Sequence, residues 1–140
     1  MQNIKNDKNH IEVVASVIFD GRSVYCFKKG QHKHEYLSNK FEFPGGKIKL
    51  GENKEDALRR EIMEELNVGI KVSEPLLEFD FAYPDFSLTM TCFKCSLQSG
   101  TFQLSEHTQV ILQPIEELEQ LEWLPADIPI VNFIKEFCNG

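Results

Sequence analysis

A cluster of glutamates on one predicted helix constrains the fold of this chain more than any other feature of its sequence. The segment 53–66 has the periodicity of a helix, and Glu61, Glu64 and Glu65 lie three and four residues apart within it. At this spacing the three carboxylates project from one side of the helix. Like charges so close together repel one another strongly unless cations neutralise them. The cluster is therefore suited to hard, oxygen-preferring ions such as Mg²⁺ or Mn²⁺.

Further signals define the two ends and the buried face of this helix. Asn53 is suited to the N-cap, and Asp56, three positions later, nearly completes a capping box. Asn67 follows the last apolar position and predicts a left-handed C-cap. Apolar residues recur at every fourth position and predict a buried stripe, formed by Leu58, Ile62 and Leu66.

The residues around the glutamates favour a metal site over a solvated acidic face, which is the other interpretation of a bare Glu-x-x-Glu-Glu. Gly45 and Gly46 provide a bend at which backbone carbonyls can approach a cation. Glu52 precedes the helix and can fold back toward it. Arg60 can orient a carboxylate through charge-assisted hydrogen bonds. We therefore interpret the whole segment as a metal-binding unit.

Length, charge and hydropathy exclude several classes of protein. The 140 residues suffice for one domain, and a hydrophobic content of 41% with 11 Phe supports a folded core. A net charge of −7 argues against the binding of nucleic-acid polymers, although divalent cations can bridge an acidic protein to a small phosphorylated ligand. No apolar segment approaches the ~20 residues of a membrane-spanning helix. We expect residues 1–10 to form a frayed polar tail and residues 11–140 to form a single domain.

The cysteines and histidines predict no zinc site. Cys92 and Cys95 form a lone Cys-x-x-Cys without a second pair at zinc spacing, so we expect reduced core thiols in a cytoplasmic protein. The histidines also lack the spacing of metal ligands. We expect His32 and His34 in an exposed loop, and His107 is not expected to be a ligand.

The rest of the pattern predicts a mixed sheet with helices packed against it, so the fold class is α/β or α+β. A short helix is expected at 115–121 and a longer one at 128–137, whose buried face carries Ile130, Ile134 and Phe137. Turns are expected at 20–21 and 84–85, and a surface loop at 28–40. The expected strands are 11–19, 23–27, 41–43, 70–81, 86–98, 101–104 and 109–112.

The glutamate helix and the residues before it resemble the Nudix box of the Nudix hydrolases. A chance match to the motif is on the order of 10⁻⁷ to 10⁻⁶ per chain at average residue usage. Asn67 stands where the motif has glycine, and we expect a small cost in stability without loss of chemistry. The resemblance implies the Nudix α/β/α sandwich, a mixed sheet with the box helix and a C-terminal helix packed on it. The matching residues are Gly46, Glu52, Arg60, Glu61, Ile62, Glu64, Glu65 and Val68.

Two branches of the family are similar to other parts of the chain. The segment 41–47 resembles the branch that removes oxidised guanine nucleotides such as 8-oxo-dGTP, and the segments 11–15 and 125–129 resemble bacterial pyrophosphohydrolases of CTP and modified dCTP. Both branches imply Mg²⁺-dependent cleavage of a nucleoside triphosphate to a monophosphate and pyrophosphate, with Mn²⁺ as a possible substitute. The alternatives are a hydrolase of ADP-ribose or nucleotide sugars and a non-catalytic nucleotide sensor. Relatives of this size are monomers or homodimers.

The resemblance also implies roles for individual residues around the metal. The Gly45 carbonyl, Glu61, Glu64 and Glu65 are expected to hold the metals, and one of the glutamates serves as the base. Arg60 is expected to steady the carboxylates and Glu52 to lie near the metal, while Lys47 is expected to stabilise charge on a phosphate. Glu106 is a candidate for a further carboxylate from outside the box, or is simply an exposed turn residue.

The residues that would bind the rest of the substrate are less constrained by the resemblance. Asp127 stands where the oxidised-guanine branch reads the base with Asn, but it also precedes a predicted helix and is suited to an N-cap. Phe43 is expected to line the base pocket or to pack in the core. Lys29 is expected to reach a phosphate or to be a solvated surface residue, and Tyr83 and Phe86 flank a turn that could border the pocket.

Overall fold

The computed structural model describes residues 9–138, which fold around one seven-stranded mixed sheet. The strand order is β3-β2-β1-β6-β5, with β4 paired to β1 and β7 paired to β2. β1 and β6 are parallel, whereas the other pairs are antiparallel. The strands and helices are β1 His10–Asp20, β2 Ser23–Lys29, β3 Phe41–Glu42, β4 Gly45–Lys47, α1 Lys54–Leu66, β5 Gly69–Ala82, β6 Ser87–Ser99, β7 His107–Pro114 and α2 Ile128–Phe137, with 3-10 turns at Glu35–Leu37, Ile115–Gln120 and Pro125–Asp127.

Helices cover both faces of the sheet, which confirms the predicted sandwich. Alternate residues of β1 separate two buried clusters because successive side chains on a strand point to opposite faces. Val13, Ala15 and Val17 join the cluster that contains α2, whereas Val14 and Ile18 join the cluster that contains α1. The sheet therefore lies between two hydrophobic layers.

Helix α1 forms as its sequence predicts. The Asn53 side chain accepts a hydrogen bond of 2.8 Å from the Asp56 backbone N–H, which caps the first turn. Asn67 adopts the left-handed conformation (φ 56°, ψ 39°), and its N–H donates to the Met63 carbonyl at 3.0 Å. The predicted stripe is fully buried and consists of Leu58, Ile62 and Leu66.

The predicted bounds of the N-terminal tail and of the first hairpin turn need small corrections. Residues 1–8 of the predicted tail lie outside the described residues, and His10 already belongs to β1. The first hairpin turn occupies 21–22 rather than 20–21, because Asp20 still pairs with Ser23 and Gly21 supplies the positive φ of 62° that the turn requires.

Three predicted features elsewhere also differ from the structure. The segment 101–104 is not a strand, because the Gln103 N–H donates to the Leu66 carbonyl at the end of α1 and the Phe102 ring packs against Phe27. The predicted short helix at 115–121 forms, but it is a 3-10 helix over Ile115–Gln120. Phe137 is 65% exposed because, at the last residue of α2, its ring packs on Phe133 and not on the core. Within residues 9–138, no helix is long and apolar enough to cross a membrane.

Candidate active site

A cavity of about 660 Å³ opens beside β3, β4 and the C-terminal end of α1. It brings together many of the residues that the sequence singled out. Glu52, Arg60, Glu61 and Glu64 are not among its lining residues. The predicted site residues that line it are Lys29, Phe43, Gly45, Gly46, Lys47, Glu65, Glu106 and Asp127, joined by Tyr83 and Phe86.

The two glycines of β4 are required by what lies against them. A Cβ on Gly45 would lie 1.9 Å from the Val14 carbonyl oxygen of the neighbouring strand β1. A Cβ on Gly46 would lie 2.5 Å from the Glu61 carboxylate. The absence of these side chains therefore lets β4 pair with β1 and lets Glu61 reach the backbone at the edge of the cavity.

Arg60 of α1 is the centre of an ion-pair network. Its guanidinium donates twice to Glu52, at 2.7 and 2.9 Å, and also donates to the Lys47 carbonyl at 3.0 Å. It further donates to Glu61 at 3.0 Å and to Glu64 at 3.1 Å. Hydrogen bonds from Arg60 lower the pKa of Glu52 to about 2, and the same contacts raise the pKa of Arg60. Two of the three clustered glutamates are thus paired with a cation from the protein itself.

Within residues 9–138, Glu65 has no such cationic partner. The residue is 7% exposed, and burial raises its pKa to about 10, with further contributions from Glu42, from a hydrogen bond to Glu61 and from Glu106. Its Oε1 atom is buried without a hydrogen-bond partner among the described residues. The last turn of α1 contains no basic residue, and the helix dipole adds negative potential at this end. Glu65 therefore occupies a place where a cation would be strongly stabilising.

Glu42 and His107 lie beside Glu65, and neither was expected there from the sequence. The Nε2 atom of His107 lies 2.7 Å from Glu42 Oε2, and the His107 side chain is 1% exposed. A β-bulge explains the burial of this histidine. Lys29 pairs with His107 and Lys28 pairs with Gln109, so Thr108 is an extra residue in β7 that resets the alternation of the strand.

The acidic end of the cavity fits a divalent cation. Ligand atoms of Glu42, Glu65 and His107 all lie within 4.8 Å of one another. Glu106 lines the same cavity, and its charge contributes to the raised pKa of Glu65. Carboxylate oxygens that are buried together without enough hydrogen-bond donors are the donor set that a divalent ion completes. This part of the chain can therefore hold a metal ion.

Asp127 lies at another part of the cavity wall. It is 3% exposed, and burial raises its pKa well above the usual range, with a further contribution from the charge of Glu42. Its carboxyl accepts a hydrogen bond from the Phe43 backbone N–H and makes no capping bond to α2, so the N-cap interpretation of its side chain is wrong. Asp127 is thus a buried polar group that faces a cavity.

Aromatic rings surround this second region. Phe43 stacks on Trp123 with ring centroids 4.6 Å apart, so it both lines the cavity and packs in the core. The Tyr83 hydroxyl accepts from the Ala126 N–H at 3.0 Å, and its ring stacks on Phe86 at 5.0 Å. The arrangement offers flat apolar surfaces next to the Asp127 carboxyl.

The loop between β2 and β3 is more ordered than the sequence suggested. His32 and His34 are half-buried and line the cavity, which corrects the prediction of an exposed loop. The His34 ring stacks between His32 and Tyr36 and lies 3.4 Å from the Asp85 carboxylate. This contact ties the loop to the turn between β5 and β6.

Comparisons with known proteins agree with this geometry. The NUDIX domain matches residues 9–135. The chain is 36% identical to the 8-oxo-dGTP diphosphatase of Escherichia coli (strain K12), over 83% of this chain and 88% of that protein. It is 31% identical to the CTP pyrophosphohydrolase of the same organism, over 87% of this chain and 89% of that protein. The solution NMR structure of the DNA mismatch repair protein MutT (family Nudix hydrolase) from methicillin-resistant Staphylococcus aureus has a TM-score of 0.73 and 35% identity, covering 93% of this chain and 98% of that one.

The family model spans nearly all of the described residues, and both curated relatives match over most of their own length. The resemblance noted in the box and its flanking segments is therefore confirmed at the level of the family and the fold. The chain belongs to the Nudix family and is a MutT-like hydrolase that acts on acid anhydrides.

Proposed function

We propose that this hydrolase cleaves (deoxy)nucleoside triphosphates, in particular oxidised or modified ones, to a nucleoside monophosphate and pyrophosphate. The observation that carries the proposal is the composition of the cavity. One region is acidic and suited to a metal, and another combines a buried carboxyl with aromatic rings. A nucleotide has the same two parts, a polyphosphate and a flat base. The names of the two curated relatives support this class of substrate.

At the acidic region, we propose that Mg²⁺ is held by the Gly45 carbonyl, Glu65 and Glu106, with Glu61 and Glu64 completing the set. A bound divalent ion would neutralise phosphate oxygens and lower the pKa of an attacking water. Arg60 would keep the box carboxylates in place, since its donors already contact Glu52, Glu61 and Glu64.

Two lysines support the placement of the phosphates on this side. Lys47 and Lys29 line the cavity that holds Glu65, so their ammonium groups can approach a polyphosphate bound there. Lys47 directly follows the two glycines, and its carbonyl is fixed by Arg60 at 3.0 Å. We propose Lys47 and Lys29 as phosphate-binding residues.

Asp127 is the residue proposed to read the base. Burial raises the pKa of the Asp127 carboxyl and so favours its neutral form, which can donate a hydrogen bond through O–H and accept another through C=O. Such a group complements the N3 and N4 edge of cytosine and also the O6 and N1 edge of guanine. Phe43, Tyr83 and Phe86 would pack on the base. Asp127 can therefore pair with either base, and kcat/KM values for cytosine and guanine nucleotides measure which one is preferred.

The test is a panel of kcat/KM values with Mg²⁺ present for dGTP, 8-oxo-dGTP, CTP, dCTP, 5-methyl-dCTP, ADP-ribose and a nucleotide sugar. Release of pyrophosphate is measured as phosphate formed with and without added pyrophosphatase, and the nucleoside product is identified by chromatography. We expect a modified triphosphate to be preferred by at least about tenfold, equivalent to about 1.4 kcal/mol in the transition state. A higher value for ADP-ribose or the sugar would overturn the proposed substrate class.

Two matched variants complete the design. Glu64→Gln removes a box carboxylate, and Glu116→Gln removes an exposed carboxylate from the 3-10 turn at Ile115–Gln120. We expect Glu64→Gln to lose turnover by orders of magnitude and Glu116→Gln to retain it. Equal, background-level turnover in wild type and Glu64→Gln would instead favour a nucleotide sensor.

A cytoplasmic location is part of the same proposal. The chain has four free cysteines, and burial raises the pKa of each thiol. The pKa is raised most strongly at Cys26, Cys92 and Cys95 and less at Cys138. Inert thiols of this kind suit a reducing compartment, in which the nucleotide pool is found.

A further inference from the structure

Two hydrogen bonds from different elements hold the segment that carries Asp127. The Asp127 carboxyl accepts from the backbone N–H of Phe43, which directly follows β3. One position earlier than Asp127, the Ala126 N–H donates to the Tyr83 hydroxyl at 3.0 Å, although Tyr83 and Ala126 are 43 positions apart in the sequence. Phe43 and Tyr83 both line the cavity. The segment around Asp127 is therefore fixed to the cavity wall at two points.

The Ala126 N–H needs an acceptor from outside its own 3-10 turn. The first N–H groups of a helical turn have no acceptor within it. In this turn Pro125 has no N–H, and the Asp127 N–H donates to the Leu124 carbonyl at 2.9 Å. Ala126 is buried, so an unpaired N–H at this position would be costly. The Tyr83 hydroxyl thus supplies the acceptor for a buried donor next to Asp127.

The Tyr83 ring is held independently of its hydroxyl. It stacks on Phe86 with centroids 5.0 Å apart and on Tyr36 with centroids 5.4 Å apart, and it packs edge-on against Phe81 at 5.0 Å. The Tyr83 backbone N–H also donates to the Phe86 carbonyl at 2.7 Å, which closes the turn between β5 and β6. Removal of the hydroxyl alone should therefore leave the ring in place.

We propose that Tyr83 is a positioning residue that determines base preference by acting through Asp127. The Tyr83 hydroxyl fixes the backbone of the turn and the Phe43 N–H fixes the carboxyl, so together they set the directions of the Asp127 hydrogen bonds. A group whose direction is set before the ligand arrives loses less freedom on binding and rejects a mismatched partner more strongly. This inference rests on the proposed function and names a residue that controls the selectivity of the same cavity.

The size of the two kinds of base explains why the position of the turn matters. The hydrogen-bonding edge of a purine lies farther from the sugar than the edge of a pyrimidine. A displaced Asp127 carboxyl therefore changes its contacts with guanine and with cytosine unequally. Loss of the Tyr83 hydroxyl should alter the ratio between the two substrates and not only the rate for both.

The competing explanation is that the hydroxyl contacts the base directly. Burial raises the pKa of Tyr83 to about 12, so the hydroxyl keeps its proton at neutral pH. A phenol oxygen has one proton and two lone pairs, and acceptance from Ala126 leaves the proton for another acceptor. If Tyr83 contacted the base by itself, the effects of changing Tyr83 and Asp127 would add. If Tyr83 acts through Asp127, its hydroxyl should matter little once Asp127 has been changed.

The test is a double-mutant cycle with Tyr83→Phe, Asp127→Asn and the variant that carries both changes. Values of kcat and KM are measured with Mg²⁺ for dCTP, 5-methyl-dCTP and 8-oxo-dGTP. We expect Tyr83→Phe to change the ratio of kcat/KM between cytosine and guanine substrates at least about fivefold, chiefly through KM. In the Asp127→Asn background we expect the same change to alter the ratio less than about twofold. Additive effects, or an unchanged ratio in the single variant, would overturn the proposal.

Tyr25→Phe is the matched control. The Tyr25 hydroxyl also has a partner within the protein, Asp20 at 3.5 Å, but Tyr25 is not among the residues that line the cavity. We expect its kcat/KM ratios to equal those of the wild type. Shifts of the same size in Tyr25→Phe and Tyr83→Phe would reveal a general effect of losing a phenol hydroxyl and would contradict a role through Asp127.

Hydrogen exchange measured by NMR tests the contact without any substrate. We expect the Ala126 amide to be protected in the wild type and to exchange at least about tenfold faster in Tyr83→Phe, while the Ile62 amide in α1 keeps its rate. If the variant fails to fold, the wild type decides by itself. An Ala126 amide that exchanges there as fast as an open turn would refute the proposal.

Dissociation constants of dCMP and 8-oxo-dGMP separate this inference from the proposed function. If Tyr83→Phe changes their ratio and Tyr25→Phe does not, in a protein that hydrolyses no nucleoside triphosphate, only the proposed function fails. If the wild type hydrolyses nucleoside triphosphates and Tyr83→Phe leaves every base ratio unchanged, only the role of Tyr83 fails.

Discussion

Replacement of Glu65 by Gln should change how the stability of the metal-free protein depends on pH. The pKa of Glu65 rises from 4.5 to about 10 on folding, chiefly because the carboxyl is buried. Between these values the unfolded chain has released this proton while the folded protein still holds it. Stability from this group is therefore fully present below pH 4.5 and is lost as the pH rises toward 10.

The magnitude follows from linkage. One proton held only by the folded state lowers the free energy of unfolding by at most about 1.4 kcal/mol per pH unit. Between about pH 6 and about pH 8 this limit amounts to about 2.8 kcal/mol, and relaxation of the site reduces the expected loss to about 1–2 kcal/mol. The variant Glu65→Gln cannot ionise, so its free energy of unfolding should lack this decline. Other titrating groups are common to both proteins and largely cancel in the difference.

The assay is urea denaturation in a metal chelator at about pH 6 and about pH 8, followed by the fluorescence of Trp123. This residue is 6% exposed, and it is the chain's only tryptophan, so its signal reports loss of the core. Glu64→Gln is the control, because its side chain is 55% exposed and paired with Arg60. Equal pH dependence in wild type and Glu65→Gln would show that Glu65 is not held neutral in the metal-free fold.

Three other substitutions test separate parts of the structure. Asn67→Gly should raise the free energy of unfolding, measured by urea denaturation, by about 0.5 kcal/mol and leave kcat unchanged. The residue has a φ of 56°, which glycine adopts at lower cost than asparagine. Gly46→Ala should lower kcat at least about tenfold while the fold is retained, since its Cβ would lie 2.5 Å from the flexible end of Glu61; an unaltered kcat would show that the position of Glu61 is not critical. Asp127→Asn should change the ratios of kcat/KM among dCTP, 5-methyl-dCTP and 8-oxo-dGTP more than the highest kcat, and unchanged ratios would remove Asp127 from base recognition.

Local sequence signals were sufficient for α1 and its caps. Apolar spacing, the Asn53 cap and the left-handed Asn67 all act within a few residues of one another, and each is found as predicted. The contact of Glu52 with Arg60 could also be anticipated, because the loop before a helix can fold back onto its first turns. Features of this kind depend on the chain's immediate neighbourhood, which the sequence displays directly.

Features that depend on strand pairing could not be predicted in the same way. His107 is buried only because one extra residue in β7 resets the alternation, and no composition signal marks that bulge. Glu42 alternates with Phe41 and Phe43 in sequence, but its neighbour His107 comes from a strand 65 positions away. The predicted strand at 101–104 failed for a related reason, because a tertiary contact with α1 replaced the partner that the strand needed.

The structure also changes the meaning of the glutamate cluster itself. From the sequence alone, Glu61, Glu64 and Glu65 are predicted to be equivalent metal ligands. In the fold, Arg60 contacts the first two and leaves Glu65 buried with an unpaired oxygen at the negative end of the helix dipole. Arg60 therefore pairs with two of the clustered carboxylates and leaves Glu65 as the one that a cation would stabilise most. Loss of Arg60 and loss of metal should consequently affect different carboxylates, the first disordering Glu61 and Glu64 and the second leaving Glu65 protonated.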